Sequence, residues 1–190
     1  MDQLKRVIEQ KGKVLSDQVL KVDSFLNHQI DADLMMNMGK EFADHFKNSG
    51  ITKVMTIESG GIAPALCTAM VLDVPLLFAK KAEPSTMKHP LTTSVHSFTK
   101  NKDYKLCVES ELLNSSDVVL FIDDFLANGE AFKGICRLVD QAGARMAGAG
   151  ICIEKAWQNG RQAVLEKGMD YLALASIASM SPETGIVWRE

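Results

Sequence analysis

Asp117-Val118-Val119-Leu120-Phe121-Ile122-Asp123-Asp124-Phe125-Leu126-Ala127-Asn128-Gly129-Glu130-Ala131 is the stretch from which the fold can be read. It opens as an apolar run rich in β-branched residues, long enough for one buried parallel strand. Two adjacent acids end the strand, an Ala-Asn-Gly turn follows, and a helical pattern begins near Glu130. Strand, acids, glycine turn and helix, in that order, build an anion site at the edge of a parallel sheet. The N–H groups of the turn and the helix N-terminus point at one spot and favour phosphate there. Ligands of open α/β sheets bind at the carboxyl ends of strands, where Asp123 and Asp124 are expected. Two carboxylates would repel a phosphate, so their expected partners are sugar hydroxyls, reached directly or through Mg²⁺. A polar strand end that only caps a helix would need one acid; the pair favours a ligand.

Working outward, residues 52–58 read as a core strand that runs into Glu58-Ser59-Gly60-Gly61-Ile62-Ala63-Pro64-Ala65, with a helix following to about Leu72. Two glycines and a serine let the backbone turn sharply and present N–H groups to a second anion. Glu58 has two open roles: holding Mg²⁺, or shaping the loop through a backbone contact. Residues 74–79 form the next strand and end in Lys80-Lys81, either a solvated strand end or a cation pair at the ligand edge. Residues 82–102, rich in Pro, Ser, Thr and Lys, are too long for an ordinary connection and predict a mobile lid. Within it, 94–100 and 104–109 can pair as a hairpin. Residues 145–154 predict a strand entering Lys155, and 171–177 and 185–188 predict two more. Helices are expected at 2–10 and 31–49, the second with Leu34, Met35, Met38, Phe42 and Phe46 on one face. Residues 15–30 are irregular and half-apolar, which suits a cover over a pocket better than a core element.

Composition narrows the function classes. The chain has 190 residues, 46% hydrophobic and 24% charged, which fits one globular domain with its own core. A net charge of −3 supplies no basic field for nucleic acid. The longest apolar region, 62–79, is broken by Pro64, Asp73 and Pro75, so no membrane span is expected. Cys67, Cys107, Cys136 and Cys152 are scattered, which predicts free thiols in a reducing compartment, taken as the cytoplasm. His89 and His96 lack an accompanying nucleophile or metal-ligand set and are assigned no role.

Residues 121–131 resemble the phosphoribosyl diphosphate (PRPP) motif of the type I phosphoribosyltransferases: two acids, two apolar residues and a small glycine-containing phosphate loop. The Asp-Asp-Phe-Leu-Ala-Asn-Gly form is similar to the bacterial xanthine-specific group of that family. So is Leu15-Ser16-Asp17-Gln18-Val19-Leu20-Lys21-Val22-Asp23-Ser24-Phe25-Leu26-Asn27-His28-Gln29-Ile30-Asp31. The resemblance implies an α/β fold, a central mostly parallel sheet flanked by helices with a small hood over the active site. It implies a single domain over 1–190, with the hood drawn from about 1–30 and 156–190. The implied activity is that of a pentosyltransferase of purine salvage: Mg²⁺-dependent transfer of ribose 5-phosphate from PRPP to xanthine, giving xanthosine 5′-phosphate and pyrophosphate. A homodimer is implied as well.

The resemblance also distributes roles. Asp123 and Asp124 would hold the ribose hydroxyls. Ala127, Asn128, Gly129, Glu130 and Ala131 would bind the 5-phosphate, and Glu58, Ser59, Gly60 and Gly61 the pyrophosphate, with Lys80 or Lys81 reaching it. Leu20, Asn27 and Lys155 would meet xanthine, with Lys155 on the 6-oxo group. Two departures stand out. Ala127 replaces an acid found in hypoxanthine–guanine relatives, so it cannot accept a proton. Ala131 ends the loop where many members have Thr, so backbone N–H groups must carry more of the binding and Glu130 must point away from the phosphate. The alternatives are transfer to hypoxanthine, guanine or adenine, or a PRPP-sensing regulator that does not turn over.

Overall fold

The computed structural model describes residues 1–97 and 102–190. The chain opens with helix α1 (Asp2–Lys11), a hairpin of β1 (Lys13–Ser16) and β2 (Val19–Lys21), and a single π-helical turn (Asp23–Asn27). Helix α2 (Ala32–Phe46) follows, capped by Asp31, whose Oδ1 accepts from the Leu34 N–H at 3.1 Å. Then come β3 (Lys53–Ile57), α3 (Ile62–Leu72), β4 (Leu76–Ala79), and a hairpin of β5 (Pro90–Ser97) and β6 (Lys102–Glu109). The rest is β7 (Val118–Leu126), α4 (Glu130–Gln141), β8 (Arg145–Lys155), α5 (Gly160–Leu165), β9 (Asp170–Ser181) and β10 (Gly185–Trp188).

Six of these strands form one sheet in the order β10-β9-β8-β7-β3-β4. All neighbours are parallel except β9 and β10. This is the expected α/β architecture. Burial on both faces explains the continuous apolar run of β7. Leu120 and Ile122 face a core shared with α1, α2 and α3, where Phe42 and Phe46 are fully buried. Val119 and Phe121 face the opposite core with Phe132, Ile135 and Val139 of α4. Each such aromatic or branched side chain contributes about 1.5–3 kcal/mol by leaving water.

The connections after β3 and β7 diverge: β3 leads through α3 to β4 on one side, and β7 through α4 to β8 on the other. The crevice between two such diverging connections is where open α/β sheets hold ligands. The chain order therefore places the 58–61 turn and the 127–131 turn side by side.

Two expectations need correction and one is met. First, β7 does not stop at the acids but carries through them to Leu126, paired with β8 as far as Glu154. Its partner on the other side, β3, pairs with it only as far as Phe121, so the acids lie beside the end of β3. Second, β9 and β10, assigned to the hood, are strands of the central sheet, because their apolar faces complete both cores. Helix α1 is tied to the end of β10 by Trp188 Nε1 donating to Glu9 Oε1 at 2.7 Å. The hairpin expected within 82–102 is present over its described residues. β5 pairs with β6 from Pro90 onward, and its stem is held to α4 by Arg137, which donates to Thr93 Oγ1 and Ser94 C=O, both at 2.7 Å. The part of the expected lid at 98–101 lies outside the described residues.

Candidate active site

Asp123 is 8% exposed and Asp124 is half-buried, and both border a cavity of about 240 Å³ with Glu58, Ser59 and Gly60. Each carboxylate folds back on its own strand. The Asp124 N–H donates to Asp123 Oδ1 at 3.0 Å, and the Phe125 N–H to Asp124 Oδ1 at 2.9 Å. Burial first, and then the neighbouring Asp124 charge, push the Asp123 carboxyl well above the usual carboxylate range. A pair so placed gains by accepting from hydroxyls or by facing a cation.

The 58–61 turn must lie against these acids, and its glycines make that possible. A Cβ at Gly60 would overlap Asp124 Oδ2, and one at Gly61 would overlap Thr56 Oγ1 and sit 2.7 Å from Asp123 Oδ1. Thr56 is a residue that sequence reasoning missed; its hydroxyl is buried beneath Gly61 without a hydrogen-bond partner among the described residues. Of the two roles open for Glu58, the structure displays the backbone contact. The Lys81 N–H donates to Glu58 Oε1 at 2.7 Å, which ties the turn to the exit of β4.

Lys80 and Lys81 separate. Lys81 borders the acid cavity, and its Nζ lies 5.8 Å from the Tyr104 ring centroid. Lys80 pairs through its backbone with Cys107 in both directions, at 2.9 and 3.0 Å, and its ammonium lies over Phe78.

The 127–131 turn borders a second cavity of about 140 Å³ at the N-terminus of α4. Gly129 has φ 81°, a left-handed conformation that glycine takes without strain. The turn is braced from behind by α5: the Gly160 N–H donates to Ala127 C=O at 2.9 Å. Glu130 is engaged by Lys133 one turn along, with Nζ donating to Oε1 at 2.8 Å. Glu130 still lines this cavity, with its charge partnered by Lys133.

The hood residues are distributed differently. Asn27 Nδ2 donates to Asp124 Oδ2 at 3.3 Å, so this side chain spans hood and acid pair and keeps its carbonyl oxygen for another partner. Leu20 is 7% exposed and packs in the core on the hood side. Lys155, at the end of β8, is half-buried, its Nζ donating to Gln18 C=O at 2.6 Å and lying 5.6 Å from the Phe125 ring centroid. Burial pulls its pKa below the usual lysine value. Gln18 is the second residue missed from sequence. Its side-chain Oε1 accepts from Trp157 Nε1 at 3.4 Å and Gln158 Nε2 at 2.9 Å, so the tip of the β1–β2 hairpin is clasped by the turn after β8. No sequence signal marked it, since 15–30 read as irregular and the β1–β2 hairpin was not foreseen.

Among the described residues no three His, Cys, Asp or Glu side chains gather as a metal cage. Mg²⁺ typically uses one or two carboxylates and takes its other oxygens from substrate phosphates and water. Asp123 and Asp124 beside an anion turn fit that pattern.

Comparison with known proteins bears on this geometry. A family model described as phosphoribosyl transferase domain matches residues 21–171. The chain is 50% identical to a xanthine phosphoribosyltransferase of Staphylococcus epidermidis, over 95% of this chain and 94% of the relative. It is 50% identical to one of Bacillus licheniformis over the same shares. Among solved structures, the adenine phosphoribosyltransferase of Giardia lamblia complexed with 9-deazaadenine superposes with a TM-score of 0.74 at 21% identity, over 88% of this chain and 94% of that one. The Trypanosoma brucei adenine enzyme, in complex with AMP, pyrophosphate and ribose-5-phosphate, gives 0.73 at 20% identity, over 91% of this chain and 79% of that one. At such identities these structures speak for the fold.

Proposed function

This chain belongs to the phosphoribosyl transferase family, and from that membership we propose that it transfers ribose 5-phosphate from PRPP to N9 of xanthine, giving xanthosine 5′-phosphate and pyrophosphate in purine salvage. The observation that carries the chemistry is the pair of glycine turns, 58–61 and 127–131, flanking Asp123 and Asp124 at the point where the sheet connections diverge. PRPP has two separated anionic ends joined by a ribose, and the site has two anion turns separated by two hydroxyl acceptors.

In this arrangement the N–H groups of Ala127, Asn128, Gly129, Glu130 and Ala131 hold the 5-phosphate. Asp123 and Asp124 accept from the ribose hydroxyls. Ser59, Gly60 and Gly61 present N–H groups to the pyrophosphate, with Lys81 supplying positive charge. Glu58 serves by holding the turn in shape through the Lys81 N–H. Mg²⁺, carried by the diphosphate, would neutralise charge that builds on the leaving group. Bond breaking at the anomeric carbon develops oxocarbenium character, and the acid pair stabilises positive charge there. Catalysis is positioning and electrostatics, with no covalent nucleophile.

The base is selected at the hood. A lysine ammonium has three donors. Lys155 spends one on Gln18 and retains two for a keto oxygen, which favours an oxopurine over adenine. Asn27, with its amide N–H on Asp124, offers its carbonyl toward the base side. Leu20 contributes apolar packing behind the hood. A homodimer is supported by the face of α3, where Leu66, Met70 and Val71 are 48%, 61% and 43% exposed. Lys80, outside the acid cavity, is then free to act toward a neighbouring subunit. The cytoplasm as working place is supported by the four free thiols.

The test is a competition assay with Mg²⁺, PRPP and equal xanthine, hypoxanthine, guanine and adenine, with the nucleotides resolved by chromatography. Xanthosine 5′-phosphate is the expected product. Another nucleotide would overturn the roles of Asn27 and Lys155, and no nucleotide with PRPP still bound would make the protein a sensor. A second measurement concerns the proton on the base. Ala127 cannot accept it, and Glu130 is engaged by Lys133. Xanthine is therefore expected to react as its anion, with kcat/KM rising with pH through the pKa of the free base. A flat profile would refute this.

A further inference from the structure

Two cavities meet at the sheet edge, and Tyr104 stands in the wall of both. One is the acid cavity with Lys81 and Asp123. The other is the smaller cavity of the 127–131 turn. Tyr104 belongs to β6, opposite Val95 on β5, and that hairpin is fastened to α4 through Arg137. The ring is therefore carried by regular structure braced against the helix whose N-terminus faces the phosphate.

The hydroxyl of Tyr104 makes no hydrogen bond among the described residues. Its ring lies under the Lys81 ammonium at 5.8 Å, a cation–π distance. Burial first, then the charges of Asp123 and Glu130, hold the phenol above its usual pKa, so at neutral pH it stays a donor. The phosphate turn has a matching deficit. It ends in Ala131, with no hydroxyl to offer, and the Glu130 side chain beside it carries negative charge.

We infer that Tyr104 is a further PRPP-binding residue. Its phenol donates to a 5-phosphate oxygen in place of the hydroxyl that the phosphate turn lacks, and its ring closes the passage between the 5-phosphate and pyrophosphate subsites. This rests on the proposed transferase function, since it needs a ligand with a phosphate at each end of a ribose. It also makes the β5–β6 hairpin a wall of the site as well as a cover.

The experiment is Tyr104→Phe, which removes one oxygen and keeps the ring. Steady-state kinetics would vary PRPP and xanthine separately, and calorimetry would follow binding of PRPP and of ribose 5-phosphate without base. The KM and Kd for PRPP should rise about tenfold, the loss of one hydrogen bond to a charged group. The Kd for ribose 5-phosphate should rise in parallel. The KM for xanthine, the choice among bases and inhibition by pyrophosphate should not move. Unchanged affinity for PRPP and ribose 5-phosphate would overturn the assignment. So would an equal loss for pyrophosphate, which would put the phenol at the wrong end. The calorimetric arm needs no turnover, so a wild-type protein that made no xanthosine 5′-phosphate would refute the function while these binding ratios still decided the role of Tyr104.

Discussion

The sheet edge and the hood build the same site by different means. At the edge, the acids and the 127–131 turn come from one contiguous segment, 123–131, and the glycine turn 58–61 from another. Strand pairing and helix packing fix their geometry. At the hood, the contacts join residues far apart in the chain, Asn27 to Asp124 and Gln18 to Lys155, through single hydrogen bonds on partly exposed groups. Such bonds contribute about 0.5–1.5 kcal/mol each, more where one partner is charged. On the proposed function, chemistry falls where strand pairing and helix packing fix the geometry, and selection of the base where single hydrogen bonds do. Substitutions at the edge should change rate by large factors, and substitutions at the hood should change preference by small ones.

The largest effect is expected at the acid pair. Asp124→Asn or Asp123→Asn should lower kcat/KM on the order of a hundredfold or more, since each removes a charged acceptor facing developing positive charge. Asp123 offers a sharper test through stability. Its carboxyl is raised in the folded protein by burial and by Asp124, while in the unfolded chain it titrates in the ordinary range. The folded state therefore holds that proton more tightly. The stability gained is full at pH below the unfolded value and is lost as pH rises through the folded one. Asparagine stays neutral, so Asp123→Asn should melt higher than wild type at neutral pH, and the difference should vanish in acid. A variant that is inactive and also less stable at neutral pH would mean the acid is structural, and the comparison between edge and hood would lose its strongest leg.

Much of this edge was legible in the sequence because its motifs are local. An apolar run, two acids and a glycine turn specify a strand, a carboxylate pair and a turn into a helix without knowledge of any distant residue. What was not legible is what long-range packing decides. The strand runs through Asp123 and Asp124 because β8 continues to pair with it, a fact that resides in 145–155. Residues 171–177 and 185–188 look the same in sequence whether they finish a hood or a sheet, and their place is set by the cores they complete. The contact of Glu58 with the Lys81 N–H could not be foreseen, because β4 brings that group to it. Gln18 carries no motif, and its role depends on Trp157 and Gln158 arriving from the far end of the chain.

An intermediate effect is expected at Asn27, whose side chain reaches Asp124 of the acid pair. Asn27→Ala removes a donor from Asp124 and a carbonyl from the base side together. Preference for xanthine over guanine and hypoxanthine should fall by about tenfold, the scale of one hydrogen bond to a group left unpaired. The KM for PRPP should change less. The ratios of kcat/KM among competing bases measure this directly. If PRPP affinity falls further than base preference, Asn27 works through Asp124 and belongs with the edge.

The smallest effect tests whether the hood is held or merely present. The Gln18 side chain acts only as an acceptor, taking hydrogen bonds from Trp157 and Gln158, while its backbone carbonyl holds Lys155. Gln18→Ala keeps the carbonyl but frees the hairpin tip, so Lys155 loses a fixed position and not its charge. The KM for xanthine should rise a fewfold, with kcat and the KM for PRPP unchanged, since two partly exposed hydrogen bonds are worth about 1–3 kcal/mol at most. Gln18→Glu retains the acceptor and should keep most of the wild-type KM, whereas Gln18→Leu, of similar bulk, should not. If Leu and Glu behave alike, the clasp depends on size alone, and the directional hydrogen bonds assigned to Gln18 do not position the lysine.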